Sequence, residues 1–382
     1  MTSSIPSEAQ VEPRFLIVLL SGTWHSLARL PRALTKAGCH VASLCPADSF
    51  LAKTRFVERA FMLHPAESAF PYLVEAIRIF KPDLLIAGCE LSVQLFHEVL
   101  RAGSDGRLTT EAQGEVLALV RRSLGKPEYF SATLSKHENQ DMAAKLGLRV
   151  PRQTHIASME DAVLVSDSYG YPVVLKSEFG YAGKGVRLCA NSAEASKAFS
   201  DLSAAGQHPR IVVQQFVRGT LGMVAAVAVD GKVLECVTAM KVHSYPGETS
   251  PCSVVKFIES EEMQGCLARL IQEYGFTGFC SGDFIIEGGT QSAYLLEFNP
   301  RPVPLCNIAE LSGRSLCLAL HSHFSGAGYQ RIAPQTDHGT VALFPNEWAR
   351  DPQSHYLHSA YHDVPWDDPS LLKTIIDSCS WT

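Results

Sequence analysis

Residues 278–301 read GFCSGDFIIEGGTQSAYLLEFNPR. Two strand-like runs, SGDFIIE and AYLLEFNPR, flank Gly288-Gly289 and predict a hairpin. Asp283 lies on the first run. Glu297 and Asn299 lie two apart on the second, so a strand directs both to one face. Antiparallel pairing brings Asp283 beside them. Two carboxylates and an amide oxygen form a hard, oxygen-only donor set that suits Mg²⁺, which completes its octahedron with water and phosphate oxygens. Arg301 follows, a planar fork for phosphate or carboxylate. A polar outer face on a plain hairpin would explain Asp283 alone. It explains Glu-x-Asn-x-Arg among apolar residues less well, because burying charge without a partner is costly.

The 382 residues are 46% hydrophobic and 19% charged, enough for two or three domains. A net charge of −6 provides no basic field for a phosphate backbone, so nucleic acid is not an expected partner. The 11 cysteines are scattered without Cys-x-x-Cys or zinc spacing, which fits a reduced, cytoplasmic protein. The start, MTSSIPSEAQVEPR, does not read as a signal peptide, and FLIVLL is too short to span a bilayer. No membrane association is expected.

Residues 15–20 form a continuous apolar run, as in a buried parallel strand. A helix over 26–37, a strand over 40–45, a helix over 72–80 and a strand over 84–87 follow, with a further helix at the far end of 100–124. This alternation predicts an N-terminal doubly wound parallel sheet over residues 1–125. Such sheets bind ligands beyond the carboxyl ends of their strands, which here carry Ser21-Gly22-Thr23-Trp24-His25 and Cys89-Glu90. No G-x-G-x-x-G follows the first strand, so a dinucleotide site is not expected. Gly125-Lys126-Pro127 marks a boundary.

Ser135 caps a predicted helix with Lys136 in its first turn, a cation opposing the helix dipole. A strand over 171–176 ends in Lys176. The loop that follows contains Gly180, Gly183, Lys184 and Gly185, and the strand resumes at Val186. Glycines there let backbone amides close over phosphates, with a lysine at the base in reach. Gln214-Gln215-Phe216-Val217 ends another strand, and Asp230-Gly231 turns a hairpin. Residues 242–253 read as a loop with Lys241 and Lys256 at its ends, a candidate for substrate contact. The tail from 336 shows little periodicity.

In this order the motifs over 136–301 resemble the ATP-grasp superfamily of carboxylate ligases. The resemblance implies an α/β (α+β) architecture: a Rossmann-like domain at 1–125, a two-subdomain ATP-grasp unit at 126–335 and a C-terminal extension at 336–382. It implies ATP and Mg²⁺ (Mn²⁺ possible) as cofactors. Lys136 and Lys176 match the lysines on the ATP phosphates. Gly180, Gly183 and Gly185, with Lys184, match the phosphate loop. Gln214, Gln215, Phe216 and Val217 match the hinge that receives adenine. Asp283, Glu297 and Asn299 match the metal ligands, and Arg301 the arginine beside the reacting carboxylate; Arg301 and Lys176 are thereby the catalytic candidates. The chain departs at the hinge: Gln215 stands where a Glu is common, and Thr220-Leu221-Gly222 lacks the acidic residue that usually holds ribose.

The implied activity is phosphorylation of a small-molecule carboxylate and its joining to an amine, with release of ADP and phosphate, in a possible homodimer. Two other readings stay open: a bicarbonate-dependent carboxylase or carbamoyl-phosphate-type enzyme, and a non-catalytic ATP-binding module.

Overall fold

The computed structural model describes residues 12–379 apart from 22–23, 65–66, 108–109, 178–184, 205–209, 248–249 and 336–338. Four parallel strands open the chain: β1 (Arg14–Val18), β2 (His40–Pro46), β3 (Arg59–Leu63) and β4 (Leu84–Ala87), in the order β3-β2-β1-β4. The chain adds β2 and β3 on one side of β1 and β4 on the other, so a switch point opens beyond the carboxyl ends of β1 and β4. The apolar run of β1 is buried on both faces. Leu16 and Val18 pack with helices Ala69–Phe80, Glu90–Ser104 and Glu111–Arg122. Phe15 and Ile17 face helix Leu30–Lys36 and the third sheet described below.

Strand β3 was not expected. Only Leu63 of RAFML is buried, so this edge strand has neither an apolar run nor alternation to betray it. The helix expected at the far end of 100–124 is Glu111–Arg122, and the separate helix Glu90–Ser104 before it was not expected.

The second sheet is antiparallel, β5 (Gln153–Ile156), β6 (Val173–Ser177), β7 (Val186–Cys189) and β8 (Ile211–Gln215), ordered β5-β8-β6-β7. Ile156, Val173, Leu175, Ile211 and Val213 pack under helices Met159–Tyr169 and Ser192–Ala204. Register places Gln153, His155, Lys176, Val212 and Gln214 on the other face. This sheet therefore has one oily side and one side bearing polar groups.

The third sheet has seven strands. They are β9 (Gly219–Val229), β10 (Lys232–Ser244), β11 (Cys252–Ile258), β12 (Gly278–Glu287), β13 (Ala293–Asn299), β14 (Thr340–Ala342) and β15 (Tyr361–His362), ordered β13-β12-β9-β10-β11-β14-β15. Asp230 and Gly231 turn β9 into β10 with φ of 48° and 76°, the left-handed pair that a tight hairpin needs. The loop expected at 242–253 is present but shorter: β10 runs to Ser244 and β11 starts at Cys252, leaving 245–251 between them. One face of β9 and β12 packs on helix Glu261–Tyr274. The other contributes Ala225, Val227 and Phe279 to the core shared with β1. The N-terminal sheet and the third sheet thus share one apolar core.

The tail is tied to this body. β14 pairs with β11, Arg29 donates to the Asp363 and Phe344 carbonyls, and Thr54 donates to Asp368 at 2.5 Å. Leu371 and Ile375 of helix Pro369–Ser378 pack with Ala28, Phe50 and Phe344. No helix among the described residues is long and apolar enough to cross a membrane.

Candidate active site

Along β12, Phe279 enters the shared core, Ser281 is buried and Asp283 emerges on the same face. Register pairs Asp283 with Glu297 and Ser281 with Asn299. The hairpin read from the sequence therefore forms, with its three oxygen-bearing residues on one face. A register shift just past the Asp283–Glu297 pair sends Leu295 into the core behind the sheet. Bulges of this kind re-aim side chains beside functional sites.

Asn299 Nδ2 donates to Asp283 Oδ2 at 3.3 Å. Burial raises the Asp283 carboxyl to about 6, Glu297 adds to the rise, and Arg301, Asn299 and Lys241 oppose it. At Asp283 burial and a like-charged neighbour outweigh the nearby cations, so added positive charge would favour its ionised form. Among the described residues no three His, Cys, Asp or Glu side chains converge on one point. The donor set is two carboxylates and one amide, a hard set suited to Mg²⁺.

Ser135 caps helix Lys136–Lys145 by accepting from the Glu138 amide at 3.2 Å. This fixes Lys136 at the helix start, where its Nζ lies 3.3 Å from Glu297 Oε1. Both side chains are partly exposed, so the pair orients Lys136 and adds little stability. Lys176, on the polar face of the second sheet, is lowered to about 8 by burial; Glu297 and Asp283 oppose the shift, and Lys136 adds to it. Lys136, Lys176, Asp283 and Glu297 thus meet across the cleft between the second and third sheets.

The hinge residues divide. Gln214 is buried and donates from Nε2 to Gln140 Oε1 at 2.9 Å, and Gln140 Nε2 donates to the Leu296 carbonyl at 2.7 Å. This amide relay ties the second sheet to β13. Gln215 is exposed at the end of β8, and Phe216 and Val217 lead to Gly219. Gly180, Gly183 and Lys184 lie outside the described residues. Gly185 is described, and its carbonyl accepts from the Ser177 amide at 2.9 Å.

Of the two loop-end lysines, only Lys241 faces the site. Ala239 pairs with Met223, which pairs with Asp283, so Lys241 shares the Asp283 face and donates to the Ser250 carbonyl at 2.9 Å. Lys256 pairs with Met240 and points to the opposite side, because both lysines lie on the paired strands flanking the loop and strand alternation separates the two.

Arg301 reaches the N-terminal sheet. Its Nε and Nη2 lie 2.8 Å and 2.7 Å from Glu90 Oε1, and its guanidinium lies 5.8 Å from the centroid of Trp24. Trp24 and Glu90 follow β1 and β4, at the switch point. Their position at strand ends was the only sequence signal; their contact with Arg301 had none. The buried residues Gln140 and Ser281 also went unmarked, since nothing local separates them from ordinary core polar residues.

Residues 135–309 match the family model of the carbamoyl-phosphate synthase L chain ATP-binding domain. The carbamoyl phosphate synthase large chain of Xylella fastidiosa is 23% identical over 218 residues, covering 50% of this chain and 20% of its own length. The chain thus spans about a fifth of such curated relatives. Among solved structures, N5-carboxyaminoimidazole synthetase from Staphylococcus aureus, complexed with ADP, shares the fold at a TM-score of 0.61 and 14% identity, over 86% of this chain and 82% of that one. The biotin carboxylase domain dimer of Hydrogenobacter thermophilus 2-oxoglutarate carboxylase, in complex with MgADP, ADP and bicarbonate, does so at 0.60 and 14%, over 86% and 72%.

Proposed function

Because the chain belongs to the ATP-grasp superfamily, we propose that it is an ATP-dependent ligase that activates a small-molecule carboxylate as an acylphosphate and joins it to an amine. The observation that carries this reading is the meeting of two lysines, two carboxylates and an amide in one cleft, with Arg301 at its inner end.

Asp283, Glu297 and Asn299 would hold Mg²⁺, which when bound neutralises charge on the β- and γ-phosphates. Lys136 and Lys176 hold the same phosphates from two sides. Lys176 stays mostly protonated at neutral pH, its pKa being about 8. The loop of Gly180, Gly183, Lys184 and Gly185 is assigned to cover the phosphates, and the backbone of Phe216 and Val217 to read the adenine edge. Gln214 is committed to Gln140, which leaves Gln215 as the hinge side chain nearest solvent. Arg301 holds the substrate carboxylate in line with the γ-phosphorus and then the acylphosphate carbonyl oxygen. An amine attacks that carbonyl carbon, and the C–O bond to phosphate breaks.

A bicarbonate-dependent reaction is the second reading, favoured by the bicarbonate in the Hydrogenobacter complex. A non-catalytic module has no use for Arg301 beside a complete donor set. The partners proposed are small molecules, with a homodimer testable by sedimentation and a cytoplasmic site testable by fractionation. A phosphate-release screen of carboxylate and amine pairs with ATP and Mg²⁺ tests the function. Release that needs both substrates supports a ligase; release with bicarbonate and no amine supports the second reading.

A further inference from the structure

Glu90 and Arg301 present opposite charges side by side at the crevice beyond β1 and β4. Nε and Nη2 of Arg301 both address Oε1 of Glu90. Among the described residues neither Oε2 nor Nη1 has a hydrogen-bond partner, which leaves both for a ligand. The Arg301 side chain is 18% exposed and that of Glu90 43%, so the cation is the inner pole and the anion the outer one. Arg301 follows Asn299 by two residues at the end of β13, whose Glu297 and Asn299 lie beside Asp283, which puts the inner pole beside the phosphate-transfer centre. The Trp24 ring stands against the guanidinium and limits how far it can swing.

A ligand matching this order carries its carboxylate inward and a cation just behind it. From this pairing we infer that the carboxylate substrate is a zwitterion, an amino acid, with its carboxylate on Arg301 and its ammonium on Glu90 Oε2. The inference rests on the ligase reading above. A simple monocarboxylate adds a second anion to Arg301 and gives Glu90 no cation beyond the one the two anions then share. A dicarboxylate places a second anion against Glu90, and like charges in close contact are disfavoured.

The chemistry balances. A carboxylate oxygen attacks the γ-phosphorus, the bond between it and the β,γ-bridging oxygen breaks, and ADP leaves with the electron pair. The ammonium keeps its protons on Glu90 and is not a nucleophile. The amino group that is acylated therefore belongs to a second molecule, and the bound amino acid is the acyl donor.

The test uses the full chain, MgATP and hydroxylamine, a small nucleophile that captures acylphosphates as hydroxamates. The carboxylates are the twenty protein amino acids, their deaminated counterparts such as propionate for alanine and glutarate for glutamate, and bicarbonate. At least one amino acid is expected to give hydroxamate with kcat/KM ten or more times that of its deaminated partner. Glu90→Gln is expected to raise KM for that amino acid at least tenfold and to shrink the gap to its deaminated partner, and Glu90→Asp to restore part of it. MgADP binding, followed by calorimetry, shows that each variant is folded. Hydroxamate formed equally well or better from deaminated acids overturns the inference and leaves the ligase reading standing. No phosphate release with any carboxylate or bicarbonate overturns the ligase reading, and the inference with it.

Discussion

Replacing Glu297 by Gln keeps the shape of the side chain and removes one charge from the centre of the site. The ion pair with Lys136, 3.3 Å away, is lost. Asp283 loses the like-charged neighbour that helps hold it at about 6 and ionises more readily. Lys176, already at about 8 through burial, loses one of the charges that keep it protonated and falls further. A unit charge about 4 Å from a cation is worth about 4 kcal/mol at an effective dielectric near 20. Easier ionisation of Asp283 returns part of that, which leaves a loss of about 2–3 kcal/mol in the transition state, or roughly 30- to 150-fold in kcat/KM. Phosphate release with saturating Mg²⁺ and the substrates found by screening measures it. The alkaline limb of the pH profile should also move to lower pH, because Lys176 discharges earlier. Turnover within threefold of wild type, with an unmoved alkaline limb in a folded variant, would refute the reasoning.

The same lysine makes nucleotide binding depend on pH. If only the charged form of Lys176, with its pKa of about 8, holds the phosphates, MgATP binding weakens about tenfold from pH 7 to pH 9; calorimetric affinities that stay flat over this range remove Lys176 from the site. A Cβ on Gly219 would lie 2.1 Å from the Ile286 carbonyl oxygen. Gly219→Ala should therefore destabilise the chain by about 2–4 kcal/mol, read by urea denaturation, and an unchanged midpoint contradicts that packing. Burial holds His25 at about 3 and His97 at about 4. Both are below the unfolded value, so their contribution to stability is present above about pH 6.5 and lost as pH falls toward 4; a urea midpoint that does not drop between pH 7 and pH 5 would show that these imidazoles are not buried neutral. With Gln214 held by Gln140 and no acidic residue in Thr220-Leu221-Gly222, ATP should be preferred over deoxy-ATP by about tenfold or less; a thousandfold preference in kcat/KM would mean that another acidic residue holds the ribose.

The parts of this fold that were legible in the sequence are those where local pattern and burial agree. The both-faces-buried run of β1 and the Asp-Gly hairpin of β9 and β10 declared themselves, as did the alternation that sets Asp283 opposite Glu297. Strand β3 escaped because it lies at an edge with most side chains wet. The loop expected between Lys241 and Lys256 keeps its two prolines but is shorter than expected, because pairing of β10 and β11 extends strand into both its ends, and that pairing put the lysines on opposite faces. The Glu90–Arg301 pair joins residues 211 positions apart. No periodicity or spacing carries such a contact; it follows only once the N-terminal sheet and the third sheet share a core.

The central claim is that a carboxylate attacks the γ-phosphate. An accepted carboxylate labelled with ¹⁸O in both oxygens, turned over with MgATP and an amine, tests it in one measurement by mass spectrometry of the released phosphate. Transfer through an acylphosphate moves one carboxylate oxygen to phosphorus, so each released phosphate should carry one ¹⁸O. Phosphate free of label, released at the same rate as product, would mean that no acylphosphate forms and would contradict the roles given to Arg301, Lys176 and the Asp283–Glu297–Asn299 face.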